Sequence, residues 1–426
     1  MRALARLLVL SAALGLALLA AMRMGAVPLS IGEIAAAMVG RGDPAAVAIV
    51  RELRLPRSVL AALVGAALAA SGATFQALLR NPLAEPYILG VSGGAAVGAV
   101  AAIVLGVAAA GWVLPVAAFA GAIVAIALVL RIALSVGQTL DTRILLLAGV
   151  VVGAFFNACI LLALTFADTE SFRSAVFWMM GSFSGATWAQ SGALTLYLVP
   201  GLLVLFALAR PLDLLAIGEE TATHLGVRVE ATKYVAYGMA SLLAAASVAV
   251  AGVIGFVGLI IPHFVRLLWE PGHRFLLPAS ALLGAAFLVL TDALARSVAA
   301  PTELPVGVLT AFVGVPFFVW VLRTSGRRQA AGTGNAARAT VSAPSPPSVI
   351  PSAARDLHLA AGTAPEVQIP RCARDDRGVT RDDRGVTRDD GGATRDDWGV
   401  TRDDRGAGQA LAATHLTFRY PGAERD

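Results

Sequence analysis

Two arginines at fixed spacing offer the first chemistry. Arg54-Leu-Pro-Arg57 sets a pair of guanidinium groups at the mouth of a long apolar run, and Arg80-Asn-Pro-Leu-Ala-Glu-Pro86 closes that run with a polar, proline-punctuated turn. Guanidinium groups recognise carboxylates, so the pair suits the docking of an acidic partner. Catalytic constellations do not accompany it. Asp168/Glu170 and Glu219/Glu220 fall in predicted loops and read as solvated faces. No Ser/His/Asp or Cys/His set has a supporting context. A GxxxxGK[ST] phosphate loop is absent, so the chain is not expected to hydrolyse nucleotide unaided. Cys159 and Cys372 give neither a disulfide framework nor metal-ligand spacing. The expectation is a non-enzyme without cofactor or metal.

The arginine pair must be carried by a membrane helix. From Pro56 to Leu79 only Ser58, Ser71, Thr74 and Gln76 are polar and Arg57 alone is charged. At ~1.5 Å per residue such a helix crosses a hydrocarbon core of ~30 Å. Hydrophobic residues make up 57% of the chain, charged residues 14%, and mean hydropathy is +0.75, which places it with all-α polytopic membrane proteins. The apolar pattern predicts ten spans, near 4–24, 56–79, 89–107, 112–134, 143–166, 190–209, 232–251, 254–269, 275–295 and 305–322. The first run follows Arg2 and Arg6 and is too long for a signal-peptide core, so it reads as a retained helix. Gly90, Gly94 and Gly98 recur at four-residue spacing, a pattern of close helix packing.

Charge placement orients the bundle. With the N-terminus cytoplasmic, 13 basic residues up to Arg328 fall inside and 7 outside, as the positive-inside rule favours. Five of the seven, Arg23, Arg41, Arg51, Arg54 and Arg57, crowd one outer loop, which again suggests an acidic partner. The net charge of +5 does not signal nucleic acid, because no aromatic-basic patch goes with it. Ionisable groups are scarce at mid-membrane depth, with Asp292 near an outer end and His263 near an inner one. An ion-coupled secondary transporter, the alternative reading, keeps such groups within its spans and is therefore disfavoured.

Residues 1–326 read as the membrane domain and residues 327–408 as a disordered linker. The linker carries heptads beginning Arg374-Asp-Asp-Arg-Gly-Val-Thr380, too polar and too balanced in charge to offset the entropy of ordering. Residues 409–426 alternate apolar and polar positions and then turn at Pro421-Gly422, as a strand would.

The membrane motifs resemble the FecCD-type permeases, membrane subunits of ABC importers for iron–siderophore complexes, haem and cobalamin. The resemblance rests on Arg54-Leu-Pro-Arg57, Arg80-Asn-Pro-Leu-Ala-Glu-Pro86, Leu89-Gly-Val-Ser-Gly-Gly94, Trp178-Met-Met-Gly-Ser182, Gly255-Phe-Val-Gly-Leu-Ile-Ile-Pro-His263 and Glu303-Leu-Pro-Val-Gly307, in order over residues 1–326. It implies a multi-pass inner-membrane subunit with both termini cytoplasmic. A homodimer would surround the path, with two ABC ATPase subunits inside, a periplasmic or lipid-anchored binding protein outside, and lipid around it. Arg54, Arg57 and Arg296 match the binding-protein docking positions. They are expected to be exposed, so that charge reversal at Arg54 and Arg57 slows delivery and spares assembly. Glu219, Glu220, His224, Leu225 and Gly226 match the coupling helix that meets the ATPase. Thr142, Leu145, Leu146, Gly149 and Phe156 fall on the helix that lines the path and gate in that family. The last residues resemble the opening strand of an ABC ATPase, with Tyr420 as a vestigial adenine-stacking residue; a permease frame run through a spacer into its neighbour, a truncated permease–ATPase fusion and coincidence all stay open as its origin.

Overall fold

The computed structural model describes residues 2–323 apart from 26, 138, 139, 270, 271, 301 and 322. The linker, the repeats and Tyr420 lie outside the described residues. Within them the chain is helical. It begins with α1 (Arg2–Arg23), the short α2 (Ile31–Met38) and α3 (Pro44–Ala48), and α4 (Leu55–Leu78). A π-helical turn over Ile49–Arg54 joins α3 to α4. Next come α5 (Val91–Val104), α6 (Val113–Val136), α7 (Thr142–Thr165), the short α8 (Thr169–Met179) and α9 (Trp188–Ala207). Two more short helices follow, α10 (Ala209–Ile217) and α11 (Glu219–His224), then α12 (Val229–Ala251), α13 (Val257–Trp269) and α14 (His273–Ala295). The last is α15 (Val306–Val321). Among the described residues seven helices are long and apolar enough to cross a membrane. The shorter apolar α5, α13 and α15 bring the set to the ten expected spans.

Helix α4 lies at the centre because its small residues let other backbones approach. A Cβ on Gly65 would come within 2.2 Å of the Gly284 carbonyl oxygen, and one on Gly284 within 2.4 Å of the Gly65 carbonyl oxygen. This mutual contact brings α4 against α14 with no room for any side chain. Lipid gives helices no hydrophobic drive to associate, so close packing of this kind holds the bundle. Gly94 and Gly98 do the same for α5 against Gly121 and Ala117 of α6. Gly90 does not belong to that stripe. It has φ +76° and turns the chain from the short Pro86–Leu89 helix into α5.

The predicted outer loop, residues 23–57, carries more structure than expected. A capping box between Ser30 and Glu33 starts α2, and Asp43 with Pro44 starts α3. Those helices pack Met22, Leu29, Ile34, Ala37, Ala46 and Val50 into a small core of their own. The chain therefore reaches Arg54 in a fixed register, and that register decides where the guanidinium points.

Candidate functional site

One end of the bundle gathers the three arginines singled out in the sequence, and it buries them. Arg54 is 5% exposed, Arg57 8% and Arg296 8%, against the expectation of free surface cations. The cause is a set of partners that lie far away in sequence. Arg54 donates through Nη1 to the Met22 carbonyl oxygen at 2.6 Å and through Nη2 to that of Val27. Its planar fork closes the end of α1 onto the start of α4. Arg57 donates from Nε to both oxygens of Asp292, at 2.9 and 3.1 Å, and from Nη1 to Glu303 at 2.9 and 3.0 Å. Arg296 donates from Nη2 to the Ala21 carbonyl oxygen at 2.8 Å. Its Nε lies 3.3 Å from Asp292 Oδ2, close enough for attraction but without hydrogen-bond geometry.

Within this buried cluster three arginines face two carboxylates, which leaves one net positive charge. All three line a cavity of about 310 Å³, together with Glu303 and the loop residues Ser184 and Ala186. A neighbouring cavity of about 500 Å³ shares Ser184, Ala186 and Glu303 and adds Trp178 and Gln190. The guanidinium groups thus face a recess and do not stand as exposed tips. Reversing Arg54 and Arg57 to glutamate would place negative charge beside buried carbonyls and carboxylates. Such a change is therefore expected to disturb the fold before it tests any partner. Arg23, Arg41 and Arg51 are the exposed cations of this region.

The opposite end carries α11. Its first residue, Glu219, is half-buried, whereas Glu220, His224, Leu225 and Gly226 are exposed. The helix ends as its glycine predicts, with Gly226 at φ +81°. The N–H of Gly226 meets the Thr223 carbonyl and that of Val227 meets the Ala222 carbonyl. The same left-handed position after α4 is filled by Arg80, at φ +47°. There the N–H of Arg80 meets Ala77 O and that of Asn81 meets Gln76 O. A non-glycine residue in this conformation costs ~1–2 kcal/mol. Near α11, Asp213 accepts from the backbone N–H of His273 at 2.8 Å and from its ring Nδ1 at 2.6 Å, fastening the start of α14. Burial pushes the Asp213 carboxyl up, but these hydrogen bonds and the charges of His273 and Arg274 outweigh it and hold it below the usual carboxylate range.

The residues expected to line a path on α7 divide differently. Leu145, Gly149 and Phe156 lie on its buried face. Gly149 packs so closely on the backbone of Ile88 and Leu89 that a Cβ would come within 2.7 Å of the Ile88 carbonyl oxygen, and Phe156 sits against Gly93. Their spacing of four and seven residues is a packing stripe, which corrects their assignment to an open wall. Thr142 and Leu146 are half-buried. The free face of α7 carries Leu147, Val151, Phe155 and Leu162, with Asn157 exposed among them.

Sequence reasoning missed Asp292 and Glu303 as the partners of Arg57, and it missed Lys233 altogether. A signal was present in the charge count, since a buried charge in a bundle this poor in acidic residues needs one of the few carboxylates available.

The model of the FecCD transport family matches residues 13–324. The cobalamin import system permease protein BtuC of Halobacterium salinarum is 46% identical over 65% of this chain and 73% of its own length. The vitamin B12 import system permease protein BtuC of Escherichia coli is 43% identical over 65% of this chain and 84% of its own. The ABC transporter permease protein YvrB of Bacillus subtilis is 44% identical over 67% and 81%. A solved inward-facing metal-chelate type ABC transporter superposes with a TM-score of 0.68 at 32% identity, covering 75% of this chain and 98% of that one. The ten apolar helices, the buried arginine cluster at one end and the exposed short helix at the other thus belong to a multi-pass membrane permease, and the chain is a member of the FecCD transport family.

Proposed function

We propose that this chain is the translocation subunit of an ABC importer for a bulky metal chelate, with a corrinoid as its first candidate cargo. The observation that carries the reading is the contrast between the two ends of the bundle. A recessed cavity with an excess positive charge lies at one, and an exposed six-residue helix with a free His224-Leu225-Gly226 tip at the other. The first suits an acidic docking partner and the second a protein groove. The excess of basic residues around the α11 end turns that end to the cytoplasm under the positive-inside rule and leaves both ends of the membrane domain, Arg2 and Arg323, on the same side.

In this reading an external binding protein presents a carboxylate to the cavity of Arg54, Arg57 and Arg296, where a single uncompensated charge favours orientation and encounter over tight holding. Two ATPase subunits engage Glu220 through Gly226, with Glu219 fixed behind them. ATP hydrolysis belongs to those subunits. A second copy of the chain completes the path, walled by the free face of α7. Asn157 supports that placement, because a polar amide exposed in an apolar span is better matched by water or protein than by lipid tails. The mainly apolar side chains of that face, Leu147, Val151 and Phe155, give a passive wall. Relatives named for cobalamin and vitamin B12 import support the corrinoid.

The test is complementation of cells lacking their own corrinoid importer with this chain, its ATPase and its binding protein. Uptake of radiolabelled cobalamin that requires all three is the expected result. Uptake of a ferric siderophore instead would move the cargo within the class. Failure with every chelate, from an assembled complex, would refute the reading.

A further inference from the structure

A charged node beside α11 joins three parts of the bundle. Glu219 Oε2 accepts from Lys233 Nζ of α12 at 2.5 Å, and Glu219 Oε1 lies 3.5 Å from Nη2 of Arg80, just beyond α4. Lys233 also donates to the Leu140 carbonyl oxygen at 2.8 Å and lies 3.3 Å from Glu230 Oε1. Glu230 Oε2 in turn accepts from the Leu140 N–H at 3.1 Å. Both backbone groups of Leu140 are therefore held by side chains of α12, two residues before α7 begins. The next residue, Asp141, caps α7 by accepting from the Arg143 N–H at 2.7 Å.

Two features mark this node as more than a surface ion pair. Lys233 is the single lysine of the chain and is 4% exposed, with its three N–H donors facing three oxygens on three segments. An ammonium so surrounded has no water to fall back on and holds its partners in a fixed geometry. Arg80, for its part, occupies a left-handed position that glycine fills at the end of α11. Strain kept at such a position calls for a use of the side chain, and the side chain reaches Glu219. Coupling between separated elements needs a contiguous physical link of this kind.

We propose that Lys233 is the positioning residue that passes a displacement of α11 to the start of α7, with Glu219 as the contact and Arg80 as the brace that holds Glu219 against the end of α4. The inference rests on the reading of residues 219–226 as the ATPase contact. Without the node, glycines at both ends of the segment, Gly218 and Gly226, would absorb the displacement, and α7 would not follow.

The experiment uses the full chain with its ATPase and binding protein in proteoliposomes and measures cobalamin transported per ATP hydrolysed. Glu219→Gln and Lys233→Met are each expected to lower that ratio by about five-fold or more. The double variant falls no further, since both changes cut one link, and Lys233→Arg recovers part of the ratio. Glu219 is partly exposed, so Glu219→Gln keeps the test open if Lys233→Met fails to fold. A parallel readout is cross-linking of His224→Cys to the ATPase in a chain lacking Cys159 and Cys372. Cross-links together with an unchanged ratio in Glu219→Gln would overturn the inference while leaving the ATPase contact standing. Absence of cross-links in an otherwise active transporter would remove the contact and this inference with it.

Discussion

Removing Arg57 should destabilise the bundle far more than removing any exposed arginine of the same loop. Arg57 supplies Asp292 with hydrogen bonds from Nε at 2.9 and 3.1 Å and a second guanidinium nitrogen, Nη2, at 2.9 Å from Oδ1. The Asp292 side chain has no exposure at all. Arg57→Met keeps much of the aliphatic bulk and leaves Asp292 with Arg296 alone, at 3.3 Å and poorly aligned. Stranding one member of a buried pair costs about 3–5 kcal/mol. The lost pair with Glu303 adds little, because the Glu303 side chain is 42% exposed and such pairs contribute about 0–1 kcal/mol. At about 2.1 cal/mol/K for each of roughly 320 residues of the membrane domain, a loss of 3 kcal/mol corresponds to a fall in Tm of roughly 4 °C. The assay is thermal unfolding of the purified protein in detergent, with Arg23→Met as the exposed control, expected within about 0.5 kcal/mol of wild type. Arg57→Met with Asp292→Asn should recover part of the loss, since no carboxylate is then stranded. If Arg57→Met melts no lower than Arg23→Met, the network does not hold α4 to α14 and the reasoning fails.

Two further outcomes follow from other parts of the chain. Asp213 has a carboxyl held below its ordinary range, so it stabilises the fold above its unfolded pKa, and that contribution disappears as pH falls through the lower folded value. Asp213→Asn should accordingly melt below wild type at neutral pH, with the difference closing as pH falls below the ordinary aspartate value of about 4; a difference that persists unchanged at acid pH would contradict this. A chain lacking residues 329–426 should transport at the full-length rate in the same vesicles, and loss of uptake would show that the repeats and the strand-like end take part.

Much of the fold was legible because one physical demand dominates it. A helix in lipid must be apolar over its length, so the spans read at 56–79 and 143–166 fall within a few residues of the helices formed. Short helices such as α2, α3 and α8 were not legible, because a few turns at an interface need no long apolar run. The site was legible in residue type and not in environment. Sequence marked Arg54, Arg57 and Arg296 as important, but burial depends on carbonyls and carboxylates as far as 275 residues away. On α7 the same limit appeared as a misplaced face. Leu145, Gly149 and Phe156 form a regular stripe, and periodicity alone does not say whether a stripe meets a neighbour or an open path. The Glu219–Lys233 link was hidden because Glu219 alone resembles ordinary loop charge and Lys233 alone resembles a charge at the end of a span.

The source of energy for transport separates an ABC importer from an ion-coupled carrier, and one measurement addresses it directly. Vesicles containing this chain, its ATPase and its binding protein are loaded with ATP on the ATPase side, and uptake of radiolabelled cobalamin is followed with and without ionophores. An ABC importer takes up substrate only with hydrolysable ATP and is indifferent to collapse of the proton and sodium gradients. Uptake that proceeds without ATP and stops when those gradients are dissipated would contradict it.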